Sequence, residues 1–461
     1  MEERLRAVLV GVQLPEADAG EHASSMAELG RLVHTLGYDV VGEVTQRRAR
    51  LSAGSVLGEG KLAELAAWTG GSGLIPQGPP RRIVTKAREK WEAADEEEVG
   101  PEPVDAEDAP VVQAPRENRR ADLVIVDHEL SPSQARNLER AVGVEVLDRT
   151  GVIVEIFHRH AQSREARLQV EIARLNYLVP RMRETGGGDR QRGGIGGKGA
   201  GESALELDRR KVRDRIAQLR AELARLEAEQ GTRRARRTDQ LRVALVGYTN
   251  AGKSSLMRAL TGSDVLVADK LFATLDTTVR TLHPESVPRV LVSDTVGFIK
   301  KLPHDLVASF RSTLDEAHEA SLLLLVVDCS DATFRQQLEV TRTVLAEIGA
   351  DTVPTKLLLN KADRIDEATR SALLEEFPGA IALSAKRPED VAALHAHIVA
   401  AFDDGLVEAE IFLPWSNAGL LGEVHANTRV VEEHHEDEGV RLRIRGRAAD
   451  VHRIQSRSSR C

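Results

Sequence analysis

The sequence predicts a multidomain α/β protein. It should contain an N-terminal α/β domain with a helical hairpin, a domain with a mainly parallel sheet, and a small C-terminal α+β module. The 461 residues are enough for two to four domains. Apolar strand-like runs alternate with helical patterns over residues 241–402, which is typical of a parallel sheet. Upstream, apolar residues recur at alternating spacings of 4 and 3 from Val212 to Leu226, which indicates packed helices.

Composition narrows the class of protein. The net charge of -9 argues against a chain that coats nucleic acid along its whole length. The only cysteines, Cys329 and Cys461, make a disulfide framework improbable and suit a reducing compartment. The opening residues carry mixed charges and too short an apolar run for a signal peptide. Since "SLLLLVVDCS" is far shorter than the roughly 20 residues of a membrane span, we expect a cytoplasmic protein without one.

The first elements of the N-terminal domain form a small α/β unit. "LRAVLVGVQL" predicts a strand, "MAELGRLVHTLG" an amphipathic helix that ends at Gly37, and "YDVVGEVTQ" a second strand. "GEGKLAELAAW" predicts another helix behind its glycines. Residues 69–120 then lose any periodic pattern, and nine acidic residues lie between Glu92 and Asp108. This composition predicts a disordered insertion that its charge keeps solvated.

The domain resumes with "ADLVIVDHELSPSQARNLERAVGVEVLDRTGVIVEIF". We predict a strand at Leu123–Val126 and then a helix capped by Ser131, with Pro132 in its first turn. Two further strands are predicted around Glu145–Leu147 and Val152–Phe157.

A helical hairpin is predicted next. "HRHAQSREARLQVEIARLNYLVPRMRE" is helical and rich in arginine, the segment Gly186–Glu202 is rich in glycine, and a second helix begins near Glu202. An antiparallel pair of helices joined at a glycine tip accounts for this pattern. The apolar positions of the second helix are Leu205, Val212, Ile216, Leu219, Leu223 and Leu226.

Residues 158–198 hold nine Lys or Arg against four Asp or Glu. Arginine suits phosphates and glycine allows close backbone approach, so contact with RNA is expected here; a flexible connector between two solvated helices is the alternative. The glycine segment is not a phosphate-binding P-loop, because it follows a helix and lacks G-K-[ST]. His158 and His160 have no further ligands nearby in sequence and are predicted to be surface groups.

A phosphate-binding loop is predicted in "LRVALVGYTNAGKSSLMRAL", which reads strand, glycine loop, helix. Gly247, Gly252, Lys253 and Ser254 match G-x-x-x-x-G-K-[ST]. Backbone amides and the start of the next helix hold phosphate. Lys253 should reach the β- and γ-phosphate oxygens, and the Ser254 hydroxyl should bind Mg²⁺.

The residues predicted to recognise the base of the nucleotide lie further along the chain. In "KLLLNKAD", a strand delivers Asn360, Lys361 and Asp363. A carboxylate at Asp363 can accept from N1 and N2 of guanine, and adenine has no matching donors. In "IALSAKRP", Ser384–Lys386 end the next strand, where the guanine carbonyl can be met. These motifs in this order predict a GTPase.

A nucleotide switch is predicted in "LVSDTVGFIKKLP", where Asp294 lies near Mg²⁺ and Gly297 near the terminal phosphate. The next residue is Phe298, at the position where Ras-like GTPases carry the glutamine that orients water. Spacing leaves three candidates open for the switch I metal ligand: Thr274, Thr277 and Thr278. Arg280 and Arg311 could stabilise charge, but surface ion pairs are the expected role. Cys329 is expected to fill the core.

These residues resemble the HflX family of translation-associated GTPases, within the Obg–HflX group, over nearly the whole chain. The matching stretches are "GVQLP", "LGEGKLAEL", "DHELSPSQARNLE", "VLDRTGVIVEIFHRHAQSREARLQVEIARLNYLVPRM", the glycine segment before "ESALELDRRKVRDRI", "LFATLD" and "SDTVGFIKKLPHDLVASFRSTLDE". The acidic insertion is longer than the family's usual linker, and the family commonly has proline where Thr277 stands. That leaves the path of switch I open.

The resemblance implies that Thr274 is the switch I metal ligand. It also implies that a hydrophobic residue is usual at the position of Phe298. It also implies binding of the GTP form to the large ribosomal subunit, dissociation of stalled or heat-damaged ribosomes, and slow hydrolysis until the ribosome stimulates it. The glycine segment would approach ribosomal RNA. We further expect subunit binding to reorder the switches.

The cofactors expected are GTP or GDP and Mg²⁺. Catalytic roles are assigned to Lys253, Thr274 and Gly297, and metal binding to Ser254, Thr274 and Asp294. The residues predicted to surround the nucleotide are Gly247, Tyr248, Thr249, Asn250, Ala251, Gly252, Lys253, Ser254, Ser255, Phe272, Ala273, Thr274, Leu275, Asp276, Asp294, Thr295, Val296, Gly297, Asn360, Lys361, Ala362, Asp363, Ser384, Ala385 and Lys386.

The predicted domain boundaries are 1–157 for the N-terminal domain, 158–230 for the hairpin, 231–240 for a basic linker, 241–402 for the GTP-binding domain and 407–461 for the C-terminal module. The leading interpretation is a GTPase that remodels ribosomes. One alternative is an RNA-binding scaffold that senses GTP with little turnover. Another is an RNA remodeller driven by ATP at a site within residues 1–157, although that half has no G-x-x-x-x-G-K-[ST] match. A monomer is expected, because an intramolecular hairpin accounts for the coiled-coil pattern.

Overall fold

The computed structural model describes residues 4–51, 54, 56–75, 120–182, 204–235, 240–262, 271–272, 278–300, 316–403 and 405–458. It divides into two units, Met1–Ile153 and Val154–Cys461. The described residues exclude most of the predicted acidic insertion, the whole glycine segment Gly186–Glu202, Thr274, Thr277, Arg311 and Cys461. No helix within the described part is long and apolar enough to cross a membrane.

The first unit is built on a four-stranded parallel sheet in the order β2-β1-β3-β4. Valines at alternate positions of its central strands are fully buried, as expected of a sheet covered by helices. Its elements are β1 (Arg6–Gln13), α1 (Ala19–Thr35), β2 (Asp39–Arg47), α2 (Glu59–Thr69), β3 (Leu123–Val126), α3 (Pro132–Val142) and β4 (Glu145–Asp148).

The predicted cap of α3 is present. The Ser131 side chain accepts a hydrogen bond from Gln134 N, and the Gln134 side chain accepts one from Ser131 N in return. This reciprocal pair satisfies two amides that the first helical turn leaves open. Pro132 occupies the first turn, where a missing N–H costs nothing.

The predicted strand Val152–Phe157 is wrong, because these residues belong to α4 (Arg149–His160). Val152, Ile153, Ile156 and Phe157 are all fully buried, and their spacing matches one face of a helix as well as a buried strand. The Asp148 carboxylate accepts from Gly151 N at 2.8 Å. An acceptor three residues before a free amide favours the start of a helix.

The hairpin consists of α5 (Arg164–Leu178) and α6 (Ala204–Ala235). Leu168, Ile172, Ile216 and Leu219 form its buried centre. The predicted first helix is interrupted at residues 161–163, where Ser163 caps α5 by accepting from Ala166 N. At the other end, α6 extends five residues into the predicted basic linker before it ends at Ala235.

A six-stranded sheet in the order β10-β9-β8-β5-β7-β6 forms the centre of the GTP-binding region. All strand pairs are parallel except β6 with β7, so the predicted mainly parallel sheet is confirmed. The elements are β5 (Leu241–Gly247), α7 (Lys253–Thr261), β6 (Thr278–Thr281), β7 (Val290–Asp294), β8 (Leu322–Asp328), α8 (Phe334–Glu347), β9 (Thr355–Asn360), α9 (Glu367–Glu376), β10 (Ile381–Ala382) and α10 (Pro388–Asp403).

The last elements form the predicted α+β module. An antiparallel sheet in the order β11-β13-β12 packs its apolar face against two helices. The elements are β11 (Val407–Pro414), α11 (Gly419–Asn427), β12 (Arg429–Glu436), β13 (Gly439–Gly446) and α12 (Ala448–Ser458).

Candidate nucleotide-binding site

The phosphate-binding loop connects β5 to α7, at the carboxyl edge of the parallel sheet. Ligands bind at this edge in α/β folds, because loops from neighbouring strands meet there. Gly252 has φ +96°, and a Cβ at this position would collide with the Asn360 side-chain amide. The loop therefore needs glycine both for its left-handed backbone and for its contact with the end of β9.

Lys253 begins α7 and is 6% exposed. Its ammonium donates to Gly247 O at 3.0 Å and to Tyr248 O at 2.8 Å. Burial lowers its pKa to about 8, and the nearby Asp294 carboxylate only partly offsets this effect. The Lys253 ammonium is thus held over the loop. Burial destabilises its positive charge, and the negative charge of a bound phosphate would stabilise it.

Ser254 and Asp294 lie together at the end of β7. The Ser254 hydroxyl donates to Asp294 Oδ2 at 2.7 Å, and the carboxylate is fully buried. A hydroxyl and a carboxylate are oxygen donors of the kind that Mg²⁺ prefers, so these two residues fit a magnesium site. The third predicted ligand, Thr274, lies outside the described residues.

Gly297 packs directly against the phosphate-binding loop. A Cβ there would lie 2.8 Å from Thr249 Cα and 3.0 Å from Lys253 Nζ, so only glycine allows this approach. The next side chain, Phe298, is 2% exposed and apolar. As expected from the sequence, the Phe298 side chain has no atom that could orient a water molecule by hydrogen bonding.

Asn360 ties the base-binding loop to the phosphate-binding loop. Its side-chain amide donates to Ala251 O at 2.8 Å, and its Oδ1 accepts from Ala385 N at 3.3 Å. The side chain of Lys361 also crosses to the loop, where its ammonium donates to Asn250 O at 2.8 Å. Three loops distant in sequence are therefore held together by side chains of one strand end.

Asp363 and Ser384, which the sequence predicts at the guanine base, lie together at one corner of the site. The Ser384 hydroxyl donates to Asp363 Oδ1 at 2.6 Å, and this bond is the main cause that lowers the pKa of Asp363. The carboxylate is thus held ionised and oriented while it remains exposed. An ionised, oriented carboxylate is the acceptor that guanine N1 and N2 require.

Two charged residues of this corner were not predicted. Asp390, in the first turn of α10, accepts from Ser384 N at 2.8 Å. Asp328 pairs with the Lys361 ammonium at 2.7 Å. An acidic residue in the turn after S-A-K was the available signal for Asp390, because carboxylates favour a helix start; Asp328 had none beyond its place at the end of a strand.

The contacts of Cys329, Arg280 and His160 indicate no functional role for these side chains. Cys329 is 5% exposed, donates to Asn360 O, and has its pKa raised to about 11 by burial, which agrees with a core role. Arg280 is exposed and bonds only locally among the contacts resolved here. His160 hydrogen-bonds Ile156 O, and the described residues contain no metal-binding cluster of His, Cys, Asp and Glu.

Of the residues predicted for switch I, the structure describes Phe272 and the candidate ligand Thr278, which begins β6 and pairs with Asp294 of β7. Phe272 is 2% exposed with φ +57°, and its ring meets that of Phe157 edge-on at 4.5 Å between centroids. A left-handed backbone is unusual for a bulky residue and persists where packing enforces it. The predicted residues Ala273, Leu275 and Asp276 lie outside the described part.

Together, the strand-to-helix phosphate loop, the hydrogen-bonded Ser254–Asp294 pair and the Asn360–Asp363 corner define the site of a P-loop GTPase. Family models match in order: a GTP-binding GTPase N-terminal region at residues 23–73 and 109–158, a GTP-binding GTPase middle region at 160–237, and a 50S ribosome-binding GTPase at 242–361. The chain belongs to the HflX GTPase family, and it is a GTP-hydrolysing enzyme that binds GTP and GDP.

Two relatives named GTPase HflX agree with this assignment, and the chain is also similar to one solved structure. GTPase HflX of Gluconacetobacter diazotrophicus is 60% identical over 97% of both chains. GTPase HflX of Escherichia coli is 40% identical over 72% of this chain and 80% of its own. A crystal structure of a GTP-binding protein from Sulfolobus solfataricus in complex with GDP is 22% identical, with a TM-score of 0.41, and covers 86% of this chain and 99% of its own.

Proposed function

We propose that this GTPase binds the large ribosomal subunit, hydrolyses GTP to GDP and phosphate there, and dissociates or rescues stalled or stress-damaged ribosomes. The observation that carries the proposal is the match of residues 242–361 to a family described as 50S ribosome-binding GTPases. The match covers both the phosphate loop and Asn360. A ribosomal partner also supports a cytoplasmic location.

The proposed residue roles are those that the sequence predicts. Lys253 would neutralise charge on the β- and γ-phosphates, Gly297 would face the terminal phosphate, and Asp363 would select guanine. Ser254, Asp294 and Thr274 would hold Mg²⁺, which supplies charge stabilisation to phosphoryl transfer when bound. The half-buried Ser254–Asp294 hydrogen bond supports this metal site; the assignment of Thr274 rests on the family resemblance.

The hairpin is proposed to contact ribosomal RNA. Several of its arginines pair with acidic residues across the hairpin, as Arg164 does with Glu222 and Arg215 with Glu171. Exposed pairs of this kind contribute little stability, so phosphates could replace the carboxylates at small cost. Arg181 lies over the Tyr177 ring at 3.8 Å, close to the glycine segment in sequence, and an aromatic–guanidinium stack suits unpaired bases.

A monomer is proposed because the apolar seam of α6 is already covered. Leu168 and Ile172 of α5 pack on Ile216 and Leu219 of α6 within one chain. Sedimentation of the purified protein at several concentrations checks this proposal, and a concentration-dependent dimer would contradict it.

The test is GTP hydrolysis by the purified chain, alone and with large ribosomal subunits, with Lys253→Ala as control. We expect a strong rise with subunits that the control lacks. Because Phe298 is buried and apolar, a scaffold that senses GTP is the second candidate; tight GTP-dependent binding without a rise in hydrolysis would favour it. No binding at all would refute the ribosomal proposal and leave the GTPase assignment standing.

Hydrolysis of ATP within residues 1–157 is the third possibility to separate. ATP turnover that survives Asp363→Asn, while GTP turnover falls, would support an independent site there. Loss of both activities with that change would assign them to the one site around Lys253.

A further inference from the structure

The side chain of Tyr248 lies where the phosphate-binding loop meets Gly297–Lys300 of the predicted nucleotide switch. Tyr248 directly follows Gly247 and is 3% exposed. Its hydroxyl oxygen accepts a hydrogen bond from Lys300 N at 2.6 Å. A side chain of the loop therefore holds the main chain of the switch three residues beyond Gly297.

The same segment is joined to the loop by its backbone. Phe298 N donates to Gly247 O at 3.1 Å, and Phe298 O accepts from Thr249 N at 2.7 Å. These two bonds form a parallel bridge between Tyr248 and Phe298. Any side chain permits such main-chain bonds, whereas the bond to Lys300 N depends on a hydroxyl at position 248.

Lys300 is also held at its other end. Its ammonium donates to the side chain of Gln336, on α8, at 2.6 Å. The segment from Gly297 to Lys300 is thus fixed between the phosphate loop and a helix of the GTP-binding region. Since Phe298 offers no polar side-chain atom, the placement of this segment has to come from such contacts.

We propose that the Tyr248 hydroxyl is a positioning group that fixes residues 297–300 against the phosphate-binding loop and thereby raises the rate of GTP hydrolysis. It does not touch the reacting atoms. The phosphates would be gripped by loop amides and Lys253, so loss of the hydroxyl leaves the grip on GDP intact. Gly297, next to the terminal phosphate, would become less well placed, and small misplacements near the reacting group lower rates.

The test is Tyr248→Phe, which removes one oxygen and keeps the ring. Single-turnover GTP hydrolysis by the chain alone should fall about threefold to tenfold, the factor that corresponds to one net hydrogen bond. The dissociation constant for GDP should change less than about twofold. In hydrogen exchange, the amide of Lys300 should exchange faster than in the parent protein.

Tyr38→Phe, outside the GTP-binding region, is the matched control and should change none of these quantities. Hydrolysis that is unchanged or faster in Tyr248→Phe would overturn the proposal. Equal losses of GDP affinity and hydrolysis would also overturn it, because they would indicate general damage to the loop. Since the assay contains no ribosomes, its outcome is independent of the proposed ribosomal function.

Discussion

At the scale of single residues, burial changes the pKa of Lys253 at the phosphate-binding loop. Its pKa is lowered to about 8 by burial, and a bound phosphate would raise it again. The nucleotide-bound pKa then exceeds that of the free protein. The contribution of the charge to GTP binding is therefore complete below pH 8 and is lost as the pH rises from about 8 towards the bound pKa.

We expect the dissociation constant for GTP to be nearly constant from pH 6.5 to 7.5 and to rise above pH 8, by at most about tenfold per pH unit. Calorimetry in buffers of different ionisation enthalpy should detect proton uptake on binding above pH 8. Lys253→Arg, whose guanidinium stays charged, should lose this pH dependence. A flat profile for the parent protein up to pH 9.5 would contradict the prediction.

Asp363 allows a change of base specificity. An Asn at this position presents one acceptor and one donor, which match N1–H and the 2-oxo group of xanthine but not the two donors of guanine. Asp363→Asn should weaken GTP binding about a hundredfold or more and allow binding of XTP. Competition between the two nucleotides measures the change. Retained preference for GTP would show that Asp363 does not contact the base.

The motif residues could be predicted because their roles follow from local backbone. G-K-S after a buried strand dictates the loop, and the end of β9 dictates where Asn360 lies. Contacts between distant segments could not be predicted: Asp328 with the Lys361 ammonium, and the Tyr248 hydroxyl with Lys300 N. Such contacts depend on how three loops meet in space, and the residue types involved are common in many other settings.

At the scale of elements, the hairpin depends on a small apolar centre. Leu219 is 1% exposed and Leu207, on the same helix, is 43% exposed. Leu219→Ala should destabilise the hairpin by about 2–4 kcal/mol and weaken large-subunit binding while GTP affinity stays unchanged. Circular dichroism during thermal unfolding and subunit co-sedimentation measure the two effects.

Leu207→Ala is the control for the hairpin, because an exposed leucine loses little on truncation. Its free energy of unfolding should lie within about 0.5 kcal/mol of that of the parent protein. If Leu219→Ala lost stability but bound subunits normally, the hairpin would not be part of the ribosomal contact.

Helices and strands were predictable where the spacing of apolar residues agrees with capping and turn residues at the ends of the element. The cap of α3 and the parallel strands followed from Ser131, Pro132 and short apolar runs. Residues 152–157 were assigned to the wrong element, because a short buried run of β-branched residues fits a strand and a helix equally. The Asp148 carboxylate, which satisfies Gly151 N, marks the helix start. That mark could not be recognised without the tertiary structure.

At the scale of the whole molecule, charge is uneven. The net charge is -9, yet residues 158–198 carry nine basic against four acidic groups. Binding to RNA through this region should release counterions, so affinity for large subunits should fall as salt rises. Arg181→Gln should weaken binding and make the salt dependence shallower by about one unit of the log–log slope.

Arg335→Gln is the control for this measurement. Arg335 is also exposed and paired, with Glu376, but it lies on α8, away from the hairpin in sequence. Its substitution should leave the salt dependence unchanged. An equal change in both variants would indicate a general charge effect and contradict a specific hairpin contact.

The contact of Gly252 with Asn360 also makes the phosphate loop and the end of β9 sensitive to the same substitution. The Asn360 amide occupies the space beside Gly252 and bonds to Ala251 O. Ala251 and Asn360 are 109 positions apart in the chain, yet the side chain at one loop fills the space left by the glycine of the other. A larger side chain at position 252 would therefore displace Asn360 and disturb the phosphate loop and the end of β9 together.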